Sequence, residues 1–101
     1  MIKKRMYVLV RRDLDQTYRC VQGAHALAQL NKEYPSQVKE WNNETIVFLN
    51  AGNLMGLREW IDKLKKRKKV FSVFFEPDLD DQETALACFD SGVIFKKLNL
   101  A

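Results

Sequence analysis

Met6-Tyr-Val-Leu-Val10, then Asp13-Leu-Asp-Gln-Thr17, then Gln22-Gly-Ala-His-Ala26: read in that order, these segments decide the fold. The first is a short apolar run with the length of a buried strand, ending near Arg11. The second is a turn in which Asp15 or Thr17 is placed to accept the first free N–H groups of a helix. The third lies inside that helix, where from about Tyr18 to Glu33 the apolar positions Cys20, Val21, Ala24, Leu27, Ala28 and Leu30 recur at helical spacing. A strand delivered into a helix through one turn is the opening unit of an α/β domain. Free backbone N–H groups and partial positive charge collect at such a turn, so polar residues beside it are placed to meet a ligand. Gln22 and His25 are such residues, and on one helical face they also suit a purely structural hydrogen-bonding pair.

The rest of the chain extends the pattern. Pro35 ends the first helix and starts a short one through Trp41. Thr45-Ile-Val-Phe-Leu49 reads as a second buried strand. Asn50-Ala-Gly-Asn53 then turns the chain and caps a helix with Leu54, Leu57, Trp60, Ile61 and Leu64 on one face. Val70-Phe-Ser-Val-Phe-Phe75 and Thr84-Ala-Leu-Ala-Cys-Phe89 give the third and fourth strands, and Asp90 to Ala101 a short return. Strands separated by helices are expected to be parallel, whereas the eight-residue loop from Glu76 to Glu83 suits an antiparallel or edge pairing. The reading is an α/β fold, a single domain over residues 1–101, with a mixed four-stranded sheet carrying helices on both faces.

At 101 residues, 47% of them hydrophobic, the chain supports one core and not two. No apolar run approaches membrane-spanning length and no signal-peptide core follows the Lys-rich start, so a cytoplasmic location is expected. Cys20 and Cys88 fall in apolar elements with no Cys-x-x-Cys or Cys/His ligand spacing, and are expected as buried, reduced thiols. One histidine and no clustered ligands make a zinc site hard to assemble, and no cofactor is expected.

Basic side chains outnumber acidic ones by 17 to 13, but their positions say more than the excess. Lys63, Lys65, Lys66, Arg67, Lys68 and Lys69 crowd the end of one helix and the turn after it. Lys3, Lys4, Arg5, Arg11, Arg12, Lys96 and Lys97 gather near the termini and the first strand, and Asp78, Asp80, Asp81 and Glu83 form an opposing acidic loop. A basic helix end is what the macrodipole alone favours. It is equally a surface for tracking phosphates, because RNA affinity comes largely from Lys/Arg contacts and counterion release. No Gly-x-Ser-x-Gly elbow surrounds Ser36, Ser72 or Ser91, and no Gly-rich phosphate loop occurs, which sets aside covalent-serine and ATP-driven chemistry.

Together these residues resemble the type II peptidyl-tRNA hydrolases of archaea and eukaryotes. Tyr7-Val-Leu-Val-Arg-Arg-Asp-Leu14 looks like the family's strand ending in Arg-x-Asp-Leu, and Val21-Gln-Gly-Ala-His-Ala26 is similar to its Ala-Gln-Cys-x-His-Ala helix opening. Thr84-Ala-Leu-Ala-Cys-Phe89 looks like its Thr-Val-Leu-Ala-Ile-Gly strand, and Lys97-Leu-Asn-Leu100 like its Leu-Lys-Leu ending. The resemblance implies hydrolysis of the ester joining a peptide or N-blocked amino acid to the 3′ end of tRNA. It also implies the tRNA acceptor end as partner, and a homodimer.

The family uses a Lys and a Gln from the first helical turn, an Asp after the third strand and a nearby Thr or Ser. Gln22 matches the Gln, and His25 matches the family His, which reads as structural there. Tyr18 stands at the Lys position, with Arg19 the local cation beside it. Glu76-Pro-Asp-Leu-Asp80 replaces the family's Asp-Ala-Gly-x-Thr, so Glu76 or Asp78 is the candidate carboxylate. The expected catalytic set is therefore Gln22, Arg19, Glu76 and Asp78. Asp13, Tyr18, His25 and Thr84 are expected at the substrate, with Lys65, Lys66, Arg67 and Lys68 on tRNA phosphates. Arg stays protonated, so Arg19 suits oxyanion stabilisation rather than proton transfer. The departures also fit a non-catalytic module that binds RNA, or binds a protein through Phe74, Phe75 or Trp41. An enzyme acting on another ester or amide is a third expectation.

Overall fold

A six-residue strand with every residue after its first buried belongs in the middle of a sheet, and β1 (Arg5–Val10) lies there. The computed structural model describes residues 5–101, so the expectations for Lys3 and Lys4 lie outside the described residues. After β1 come α1 (Gln16–Glu33), α2 (Pro35–Trp41), β2 (Ile46–Asn50), α3 (Leu54–Lys66), β3 (Phe71–Glu76) and β4 (Gln82–Asp90). The sheet order is β2-β1-β4-β3, with β1 parallel to β2 and β4 antiparallel to both of its neighbours. Alternate residues of β1 feed opposite faces. Met6, Val8 and Val10 meet Ala26 and Leu30 of α1, while Tyr7 and Leu9 join Leu57, Ile61 and Leu64 of α3. The mixed four-stranded sheet with helices on both faces is thus the architecture. No described helix is long and apolar enough to cross a membrane.

Local signals place the helices. Asp15 accepts the Tyr18 N–H at 3.0 Å and Asn53 accepts the Gly56 N–H at 3.0 Å, capping α1 and α3. Gly23 is the point of closest approach between α1 and the sheet: a Cβ there would collide with the Phe48 ring, so only glycine lets the helix sit this low over Val8 and Phe48.

The two ends of the sheet are finished differently. At the end of β4, Asp90 accepts Lys69 Nζ at 2.6 Å and the Gly92 N–H at 2.8 Å. Gly92 has φ +101° and faces the Tyr7 hydroxyl so closely that no side chain fits. The edges also differ. Residues 99–101 run along β2, with the Asn50 N–H donating to Asn99 O, a bridge between Leu49 and Leu100, and the Ala101 N–H donating to Phe48 O. On the far edge, the β3 ladder shifts register between Phe74 and Phe75.

Two expectations are corrected. The loop between the last strands is five residues, 77–81, because Glu76 and Gln82 still pair across the ladder. A 3-10 turn at Pro77–Leu79 followed by left-handed Asp80 and Asp81 closes it tightly, and Glu83 belongs to β4, where it pairs with Arg58. Cys20 is exposed, whereas Cys88 is buried and its thiol is pushed up to about 12, chiefly by that burial. The buried stripe of α1 is Gln22, Gly23, Ala26 and Leu30, and Cys20 falls outside its helical phase.

Candidate functional site

Glu76 ends β3, Thr84 begins the buried part of β4, and Gln22 comes down from α1 between them. Gln22 and Thr84 are wholly buried and Glu76 is 8% exposed. The Gln22 amide Nε2 donates to Glu76 Oε1 at 2.8 Å, and its Oε1 accepts Thr84 Oγ at 2.5 Å. Both ends of the amide are therefore engaged, which fixes which end faces the acid. Tyr18 lies one turn earlier on the same side of α1, and its hydroxyl donates to the same Glu76 oxygen at 3.2 Å. The other oxygen, Oε2, meets only the Asp78 N–H among the hydrogen bonds described, at 3.4 Å.

These donors set the charges. The Gln22 amide, outweighing desolvation, holds the Glu76 carboxyl below the ordinary carboxylate range, with the Asp78 N–H and Tyr18 adding to it. Desolvation and the neighbouring Glu76 charge push the Tyr18 phenol above its usual value. At neutral pH the pair is a carboxylate beside a neutral phenol. Such a carboxylate can accept a proton from water or orient one, and the phenol can donate a hydrogen bond to a developing negative oxygen.

The remaining candidates divide. His25 is exposed, and its imidazole lies flat on Phe74 with centroids 4.3 Å apart and planes 6° apart, at the rim of the network. Asp78 is exposed and reaches Glu76 through its backbone N–H, not its carboxylate. Asp13 is held by Arg11, with Nε and Nη2 at 3.0 and 2.6 Å, while Arg11 Nη1 reaches Gln82 Oε1 at 3.0 Å. That clasp lowers the Asp13 carboxyl and fastens the turn after β1 to the start of β4. The sequence nominated Asp13 but treated Arg11 only as one charge among many; the signal was the acid two residues along from a strand-end Arg.

Arg19 is not brought to Glu76. It follows Tyr18 by one residue, about 100° around the helix, and lines a separate cleft with Val10, Gln16, Cys20 and Phe48. Lys65, Lys66, Arg67 and Lys68 are further still. α3 starts after the carboxyl end of β2 and runs back along the sheet for thirteen residues, roughly 20 Å, so these exposed cations lie at the opposite end from Glu76.

Fold and site together define a class: a single α/β domain in which one helix lowers a Gln onto a strand-end acid of a mixed four-stranded sheet. The same fold occurs in a solved structure of a protein of unknown function, Atu0240, from Agrobacterium tumefaciens strain C58. It is 16% identical, with a TM-score of 0.69 and alignment over 100% of this chain and 99% of that one. No family model and no curated protein matches the sequence.

Proposed function

We propose that this chain hydrolyses the ester between a peptide or N-blocked amino acid and the 3′ end of tRNA. One observation carries the reading: Tyr18, Gln22, Glu76 and Thr84, four of the positions nominated by resemblance to the type II peptidyl-tRNA hydrolases, converge from three elements into one hydrogen-bonded chain, while Arg19 and the Asp78 carboxylate stay outside it. Glu76 Oε2 is the proton acceptor. Water attacks the ester carbonyl as its proton passes to Glu76, and collapse of the tetrahedral intermediate breaks the bond to the ribose 3′ oxygen, which takes that proton. As Glu76 takes up the proton, the single Tyr18 O–H turns from Glu76 Oε1 to the carbonyl oxygen, where charge is building. Gln22 is enclosed and cannot touch a substrate, so it acts as a positioning residue that aims Glu76 while Thr84 aims Gln22.

In this reading Lys65, Lys66, Arg67 and Lys68 meet tRNA phosphates remote from the ester, across the length of the sheet. The homodimer belongs to the same proposal, and sedimentation of the purified chain decides it. The test of turnover is release of the amino acid from N-acetyl-aminoacyl-tRNA. Gln22→Ala is expected to lower kcat far more than it weakens tRNA binding; equal losses in both would remove the positioning role. A folded protein that binds tRNA in a strongly salt-dependent way without cleaving it establishes the second reading, a binding module. That reading is favoured by the phenol of Tyr18 standing where the family has a Lys.

A further inference from the structure

Two arginines near the candidate site are paired, Arg11 with Asp13 and Gln82 and Arg58 with Glu83, while Arg12 is exposed to solvent. Arg19 is neither paired nor fully exposed. Its side chain has no ion pair or hydrogen-bond acceptor among the described residues, and its Nε is sealed from solvent without one. Half-buried, Arg19 lines a cleft of about 230 Å³ with Val10, Gln16, Cys20, Phe48 and Ala101.

The place and the lining both point to a ligand. The cleft lies on the α1 side of the sheet, from Phe48 in the middle of β2 and Ala101 beside it to Val10 at the carboxyl end of β1, next to the amino end of α1, where the helix field favours negative charge. A guanidinium is engaged best by a carboxylate or phosphate that meets two of its N–H groups, here those of the Nη end, since the sealed Nε is out of a ligand's reach. Val10 and Phe48 offer apolar wall, and the Gln16 amide offers a further donor. A cavity of about 150 Å³ accommodates benzene, so the room here suits one ring with an acidic group and not a whole nucleotide.

We propose that this cleft binds a small oxyanion, a carboxylate or a phosphate monoester, borne on an apolar or aromatic body, with Arg19 as its counter-charge. The site is separate from Glu76 and does not depend on ester hydrolysis.

The experiment is a titration of the amide NMR spectrum with sodium benzoate and, separately, phenyl phosphate at constant ionic strength. Saturable shifts confined to the surroundings of Gln16, Arg19, Cys20 and Phe48 are expected. Arg19→Gln raises the dissociation constant by roughly tenfold or more and Arg19→Lys by less, since an ammonium keeps the charge but not the fork. Saturation by benzoate only marks a carboxylate site, by phenyl phosphate only a phosphate site, and by both a general oxyanion site; each supports the proposal. Saturation by neither, or unchanged affinity in Arg19→Gln, overturns it. Cys20→Phe, a substitution at an exposed position that fills the cleft, is expected to abolish binding with the guanidinium in place; retained binding also overturns it. Because Arg19 has no partner to lose, Arg19→Gln is expected to keep the wild-type Tm. A fall of more than about 5 °C would show a structural tie and remove the argument.

Discussion

Two nearly buried carboxylates stand at opposite ends of the same sheet, and their partners differ in kind. Asp90 is answered by a full cation, Lys69, and by the Gly92 N–H. Glu76 is met by an amide, a phenol and a backbone N–H, and no ion pair reaches it among the described residues. The first arrangement cancels a charge where it stands and ties the connection before β3 to the end of β4. The second leaves a whole negative charge in place, aimed by neutral donors. An ion pair closes a structure, whereas a carboxylate aimed by neutral donors stays available for chemistry.

The largest effect expected from this contrast is on turnover. Glu76→Gln keeps the size of the side chain and an acceptor for Gln22 and Tyr18, and is expected to reduce the initial rate on N-acetyl-aminoacyl-tRNA on the order of 100-fold or more. Asp90→Asn is expected to leave that rate unchanged, and comparable rates for the two variants would break the comparison.

Stability should divide the other way. Gly92→Ala forces a Cβ against the Tyr7 hydroxyl at positive φ, with an expected loss of about 3 kcal/mol and a Tm lowered by roughly 15 °C in thermal denaturation. Asp78→Ala, at the exposed turn beside Glu76, is expected to stay within about 0.5 kcal/mol of wild type. Asp90→Asn is expected to cost about 2 kcal/mol in denaturant unfolding, because Lys69 is part-exposed and recovers some hydration.

The pH dependence sharpens the contrast by the smallest margin. Asp13, Glu76 and Glu83 are all held below the ordinary carboxylate range, by Arg11, Gln22 and Arg58 respectively. Folding favours their charged forms. The stability they contribute is therefore complete above about pH 5 and is lost as pH falls through about 4 and below. Tyr18, shifted upward, titrates above about 10. kcat/KM should accordingly be flat through neutrality, with its acid limb below about 4 and its alkaline limb beyond about 10. A rate that falls with a midpoint near 7 would assign the base to another group.

The parts of the molecule visible in the sequence are those governed by local chemistry. Apolar runs gave the strands, Asp15 and Asn53 capped the helices they precede, and the apolar positions Leu57, Ile61 and Leu64 marked the buried face of α3. Gln22 stood out from its place just after the strand-to-helix turn, and only resemblance put Glu76 and Thr84 into one hypothesis with it. Its wiring was not visible, because it depends on turn length and helical phase. Whether Tyr18 or Arg19 reaches Glu76 is decided by about 100° of rotation, and a one-residue change in the turn before α1 exchanges them. The true hairpin length depends on Gln82 pairing with Glu76, a register that a row of acidic residues does not announce.

The edges of the sheet carry a consequence for how copies of this chain behave toward one another. Unpaired edge N–H and C=O groups recruit strands from other molecules. Here residues 99–101 occupy the hydrogen-bonding groups of Phe48 and Asn50, and the opposite edge is thrown out of register beside the exposed Phe75. One border is covered and the other is bent. Detach residues 99–101, and Ile46–Asn50 becomes a template for aggregation while both core layers remain intact; colloidal stability thus rests on a segment that the hydrophobic core does not require.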